Sequence, residues 1–132
     1  MIVAEALAHA RRQNLKPLAV AVLDVRGAIK AAAVEDGTSL KRFEVAHAKA
    51  HGALALGTGS RAIQNRAEQQ PTFVAAVTHV VGGSLVPVAG GVLIKDGDAL
   101  LGAIGISGDT SDNDEQAGLA GIEASGFVGQ PD

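Results

Sequence analysis

His47 and His51 stand four residues apart in an alanine-rich run, Leu40–Leu56, whose length and composition predict a helix. That spacing sets both imidazoles on one helical face, with Glu44 about one turn earlier. Two such imidazoles are candidate ligands of one metal ion. The His-Glu-x-x-His box of zinc hydrolases is incomplete, because Ala48 takes the place of its Glu. A packing or surface pair fits the same spacing. Lys49 lies between the two histidines. Placed in a dry pocket it would have a lowered pKa and serve as a base or as an anchor for an anion; as a surface residue it would be a solvated charge or half of an interface salt bridge. His79 is a third candidate, an acid/base or ligand three residues ahead of a glycine pair.

That pair begins the stretch around which these residues must be arranged. Gly82-Gly83 and Gly90-Gly91 bracket Val86-Pro87. Gly82, Gly83, Pro87, Gly90 and Gly91 are candidate ligand-binding positions, because glycine backbone approaches a ligand closely and successive free N–H groups form a nest for a carboxylate or propionate. The same glycines also fit turns that need positive φ. No GxxxxGK[ST] phosphate loop is present. Ser107, in Gly105-Ile106-Ser107-Gly108, is a further ligand candidate, one residue short of a GxSxG nucleophile elbow.

The elements that carry these residues follow from periodicity and turn chemistry. Ile2–Asn14 has helical spacing and ends at Asn14 and Lys16-Pro17. Leu18–Val25 and Ala28–Val34 read as strands joined across Asp24–Gly27. Ser39 is the expected N-cap of the Leu40–Leu56 helix, and Ser60 that of a helix over Arg61–Gln69. A helical or irregular segment follows from Pro71 to Val81, then a further short strand near Leu85–Ala89. Val92–Lys95 and Ala99–Ile106 form a hairpin around Asp96-Gly97-Asp98. Ser111 is the expected cap of a last helix, Asp112–Ala124, closed by Gly126. Paired hairpins with grouped helices predict an α+β domain, an antiparallel sheet covered by helices, occupying residues 1–132 as one unit.

Composition narrows the function. The net charge is −3 with mixed signs, which argues against nucleic acid or an anionic membrane as partner. No apolar run reaches the length of a membrane span and no secretory leader is recognisable, so the expected location is cytoplasmic. Cys is absent, which removes thiolate metal sites and disulfides. Trp and Tyr are absent, Phe numbers three, and Gly is 17 of 132 residues. Small residues bury little area each, so a core of this kind gains from burial between subunits, and a homo-oligomer is expected.

Several segments together carry a family likeness. They are Ala19–Asp24 with Gly27, Asp36-Gly37, the helical Ala46-His47-Ala48-Lys49-Ala50, the Gly82-Gly83…Pro87…Gly90-Gly91 loop, Gly102–Gly108, and Asp114-Glu115. In this order and spacing the chain resembles the GlcG/HbpS family of haem-binding or haem-degrading proteins, and is similar to the C-terminal domain of PduO-type proteins. The stretch between Arg61 and Val81 departs from the family pattern. The resemblance implies a profilin-like α/β/α domain with an antiparallel five-stranded sheet flanked by helices. It also implies a homo-oligomer, often an octamer, and haem or a related tetrapyrrole as ligand, with His47, His51 or His79 supplying the iron ligand. Two other classes remain open. One is a catabolic isomerase, lyase or hydrolase acting on a small carboxylate through Lys49 or a histidine. The other is a structural or accessory oligomer.

Overall fold

The computed structural model describes residues 1–132. Helix α1 (Ile2–Arg12) leads into a hairpin of β1 (Ala19–Asp24) and β2 (Ile29–Val34). Three helices follow: α2 (Arg42–Leu56), α3 (Ser60–Gln69) and α4 (Pro71–Val80). A second hairpin, β3 (Gly91–Asp96) and β4 (Ala99–Ser107), precedes α5 (Ser111–Ala124) and a short β5 (Val128–Gln130). The five strands make one antiparallel sheet in the order β2-β1-β4-β3-β5.

Strand alternation sends side chains to two cores. Val20, Val92, Ile94, Ile104 and Ile106 face α1 and α5, where Ala6, Ala10, Ala117 and Ile122 meet them. Leu23, Leu93 and Ala103 face the other way, against Ala50 and Ala53 of α2. The second core is thin because α2 lies almost on the sheet backbone. A Cβ on Gly105 would overlap the Ala46 carbonyl oxygen, and one on Gly91 would overlap the Lys49 carbonyl. The small residues of helix and strand are therefore a matched set that trades side-chain volume for close approach.

The α+β reading, both hairpins and the five helical segments stand as expected, with four differences. α2 starts at Arg42 rather than Leu40, and Lys41, not Ser39, occupies its N-cap position without a side-chain bond. Ser60 lies inside α3, and its hydroxyl accepts from Gly91 N at 2.7 Å instead of capping the helix. Thr110 replaces Ser111 as the cap of α5; its hydroxyl accepts from Asn113 N at 3.2 Å. Leu85–Ala89 is not a strand: the chain folds on itself there, with Leu85 N bonded to Gly83 O and Val88 N to Val86 O, a γ-turn geometry that suits the fixed φ of Pro87. The fifth strand is instead β5, three residues long and too short for a periodic signal.

The connection into α5 is tied down by Asp109. Its carboxylate accepts from the amides of Lys16 and Thr110 and from the Asn113 side chain, each at 2.8 Å. The Lys16 amide, then Asn113 and Thr110, hold its pKa down at about 2. A carboxyl whose folded pKa lies below its unfolded value stabilises the fold above the unfolded pKa, and this is lost as pH falls through the folded one. Asp109→Asn should therefore flatten the decline of the urea midpoint between about pH 4 and pH 2; an unchanged acid limb would refute it.

Candidate functional site

One face of α2 and the loop after α4 enclose a cleft of about 410 Å³. Phe43, Glu44, His47 and Ala48 line it from the helix, and Gly82, Gly83 and Ser84 from the loop. The helix is amphipathic in an unusual sense: its sheet-facing side is alanine, glycine and a buried lysine, which leaves its aromatic and imidazole side chains for the outer face. Phe43 and His47 lie with ring centres 6.4 Å apart, and His47 stacks on His51 at 5.8 Å and 17°. Burial, and then the neighbouring His51, lowers the pKa of His47. Both causes favour the neutral imidazole, the form that ligates a metal.

Ser84 touches both histidines. Its hydroxyl is 3.4 Å from His47 Nδ1, and its carbonyl is 2.7 Å from His51 Nδ1. A carbonyl only accepts, so His51 donates from Nδ1. The two rings nevertheless serve different spaces. His51 lines a second, smaller cleft of about 160 Å³ with Val25, Arg26 and Gly27 of the β1–β2 turn. No group of three or more His, Asp or Glu side chains converges to hold a metal ion, so the His47/His51 pair gains no third protein ligand.

Lys49 does not join the cleft. Two residues along a helix from His47, its side chain leaves the axis roughly 200° away. It is only 2% exposed, and its Nζ donates to Ile106 O at 2.9 Å and to Asp114 Oδ2 at 3.1 Å. Burial lowers the Lys49 pKa and raises that of Asp114, against their mutual attraction. The Asp114 carboxylate is completed by Asp109 N at 2.9 Å. Of the two proton-moving groups in the carboxylate-enzyme reading, Lys49 or a histidine, the cleft lining holds only a histidine, His47.

The two glycine pairs divide between these places. Gly82 N bonds to His79 O at 3.1 Å and Gly83 N to Thr78 O at 2.8 Å, a Schellman closure of α4 with both glycines at positive φ. The amides expected to form an anion nest are spent on that cap. Gly90 and Gly91 pack on Lys49 at the far side of α2, with Gly91 N bonded to Ser60. Ser107 is fully buried and accepts from Arg42 Nη1 at 3.1 Å. His79 is exposed on the last turn of α4, outside the cleft lining, and Pro87 only shapes its turn. At the start of α3, Arg61 binds Glu115 at 2.9 Å and also Asp112, and these partners raise its pKa. Ser84 and Asp114 carry no spacing signal toward partners 33, 37 and 65 positions away; only folding shows their roles.

A family model described as haem degrading protein HbpS-like matches residues 1–123. The chain belongs to the HbpS-like family. Solved structures repeat the architecture of this HbpS-like chain. A PduOC:haem complex superposes with a TM-score of 0.83 at 23% identity, covering 93% of this chain and 88% of the other. The Klebsiella pneumoniae protein ORFY gives 0.82 at 20% identity, covering 92% and 83%. HbpS gives 0.80 at 25% identity, covering 93% and 83%. No curated protein sequence matches the chain. No helix of this HbpS-like protein is long and apolar enough to cross a membrane.

Proposed function

We propose that this protein binds haem or a related tetrapyrrole on the outer face of α2, with His47 as the iron ligand. The observation that carries the reading is an imidazole, that of His47, beside the Ser84 hydroxyl in a cleft of about 410 Å³. A single histidine is a sufficient protein ligand for haem iron. The cleft lies within the range of small-molecule sites, about 300–1,000 Å³. The space where Cβ atoms would stand at Gly82 and Gly83 is open, so a flat ligand can lie against the loop backbone. Leu40 and Val80, 89% and 81% exposed, are close in the chain to the cleft-lining residues and supply apolar surface that a macrocycle covers. Bound haem would contribute redox chemistry; the chain's own groups would hold the ring against α2 and the loop and present the His47 imidazole to it.

The family membership and the haem complex of a structural relative support the same ligand class. Further exposed apolar side chains, among them Ile29 and Val34 on edge strand β2, support assembly with copies of the same chain. The haem reading is tested by haemin titration. The expected result is a shifted Soret band at micromolar haemin that His47→Ala abolishes while His79→Ala retains it. Acidification should release the haem with a midpoint below the ordinary imidazole value of 6.5, because the folded site disfavours the imidazolium. No Soret shift, or one that His47→Ala leaves unchanged, sinks the assignment. Bleaching of the bound band under reductant and oxygen would extend it from binding to degradation.

A further inference from the structure

A further cavity, sharing no residue with either cleft beside α2's histidines, lies between α3 and α4. It measures about 190 Å³, and Leu56, Ala62, Ile63 and Val74 give it apolar walls. Arg66 and Phe73 stand at its edge. The guanidinium sits 4.0 Å from the centre of the Phe73 ring, and its Nε donates to Gln70 Oε1 at 2.9 Å. These two contacts fix the head of a side chain that is otherwise costly to order. Arg66 forms no ion pair with any carboxylate of the chain, in contrast to Arg11 and Arg61. The result is a held cation without an anion, beside an apolar hole.

We infer that this cavity is a binding site for a small monocarboxylate, with the carboxylate on Arg66 and an aryl or short aliphatic tail among Leu56, Ile63 and Val74. The size supports the tail: an engineered apolar cavity of about 150 Å³ in another protein takes up benzene, so a space somewhat larger accommodates a ring or a chain of similar bulk. The charge supports the head. A guanidinium offers two parallel N–H donors to a carboxylate, and the Nη groups of Arg66 are free to do so once Nε is committed to Gln70. The side chains of this site come from α2 to α4 and include none of the cleft residues, so it stands whether or not haem binds to His47.

The test uses the full chain without haem, uniformly labelled with nitrogen-15. Benzoate and hexanoate are titrated while amide resonances are followed, with benzamide and hexanamide as neutral counterparts. Perturbations should cluster at Ala62, Ile63, Phe73 and Val74, and each acid should bind about tenfold or more tightly than its amide, the ratio for one charge-assisted hydrogen bond. Arg66→Gln, at an exposed position, should erase that preference while leaving the far-UV circular dichroism unchanged. Ala62→Leu, which fills the cavity, should weaken acid and amide alike. Equal binding of acid and amide, perturbations centred elsewhere, or no binding overturns the inference. So does a concentration-dependent shift of the same resonances without ligand, which would mean that a second copy of the chain occupies the cavity.

Discussion

Lys49→Ala is expected to cost the fold about 3–5 kcal/mol, the range for removing one partner of a buried ion pair. Its Nζ is the single cation facing Asp114, and both side chains are at most 2% exposed. Without the ammonium, the Asp114 carboxylate keeps backbone amides, that of Asp109 at 2.9 Å first among them, and no cation in an interior that already raises its pKa. The Ile106 carbonyl loses its donor as well, and the four-carbon stem that packs under Gly90 leaves a void. Asp114→Leu alone should be similarly damaging, since it strands the ammonium. The combination Lys49→Met with Asp114→Leu should recover most of the loss, because burying neither charge removes the desolvation penalty from both sides. Urea midpoints followed by far-UV circular dichroism measure this; the chain has no Trp or Tyr for fluorescence. A Lys49→Ala midpoint close to that of the parent would show that water reaches the pair. The same cost means that activity lost in Lys49→Ala reports unfolding before it reports acid–base chemistry.

Gly105→Ala should be nearly as severe, at about 3 kcal/mol, the upper end for overpacking. Gly105 pairs with Ala21 and Gly91 in the middle of the sheet, directly beneath α2. The added methyl would overlap the Ala46 carbonyl oxygen and press on the Ala50 amide, both backbone. No rotamer change relieves such a collision, so the helix must lift. Lifting it stretches the reach of Lys49 to Ile106 and shifts His47 relative to Ser84. Two measurements separate this account from a simple strand-propensity effect. Ala46→Gly should fail to rescue Gly105→Ala, because the obstacle is a carbonyl and not a methyl. Haemin affinity should fall in Gly105→Ala even under conditions where the variant remains folded. Rescue by Ala46→Gly would disprove the proposed contact.

Much of this architecture is written locally. Apolar runs flanking Asp96-Gly97-Asp98, the helical period of Ile2–Arg12 and the alanine-rich α2 depend on near neighbours, and turn chemistry and amphipathic spacing encode near neighbours directly. The family likeness is equally local, a sum of short segments in order. The register of caps is less legible: Ser111 and Thr110 are chemically interchangeable, and the approach angle of the chain decides between them. β5 escapes because three residues such as Val128-Gly129-Gln130 hold no period; only the free edge of β3 makes them a strand.

The site divides in the same way. From sequence alone, His47, His51 and Lys49 belong to one helix, and glycine pairs flank one loop. Which of them meet is a question of azimuth and of long-range pairing. A helix separates positions 47 and 49 by more than half a turn, so the imidazole faces the cleft while the ammonium sinks into the sheet. The amides of Gly82 and Gly83 are consumed because α4 ends there, a fact that depends on where the helix stops and not on the glycines themselves. Sequence determined the elements and the inventory of reactive groups, since both follow from residue type and short spacing. Tertiary structure decided the partners, since burial, hydrogen-bond competition and the close seat of α2 on Gly91 and Gly105 arise only when distant segments pack.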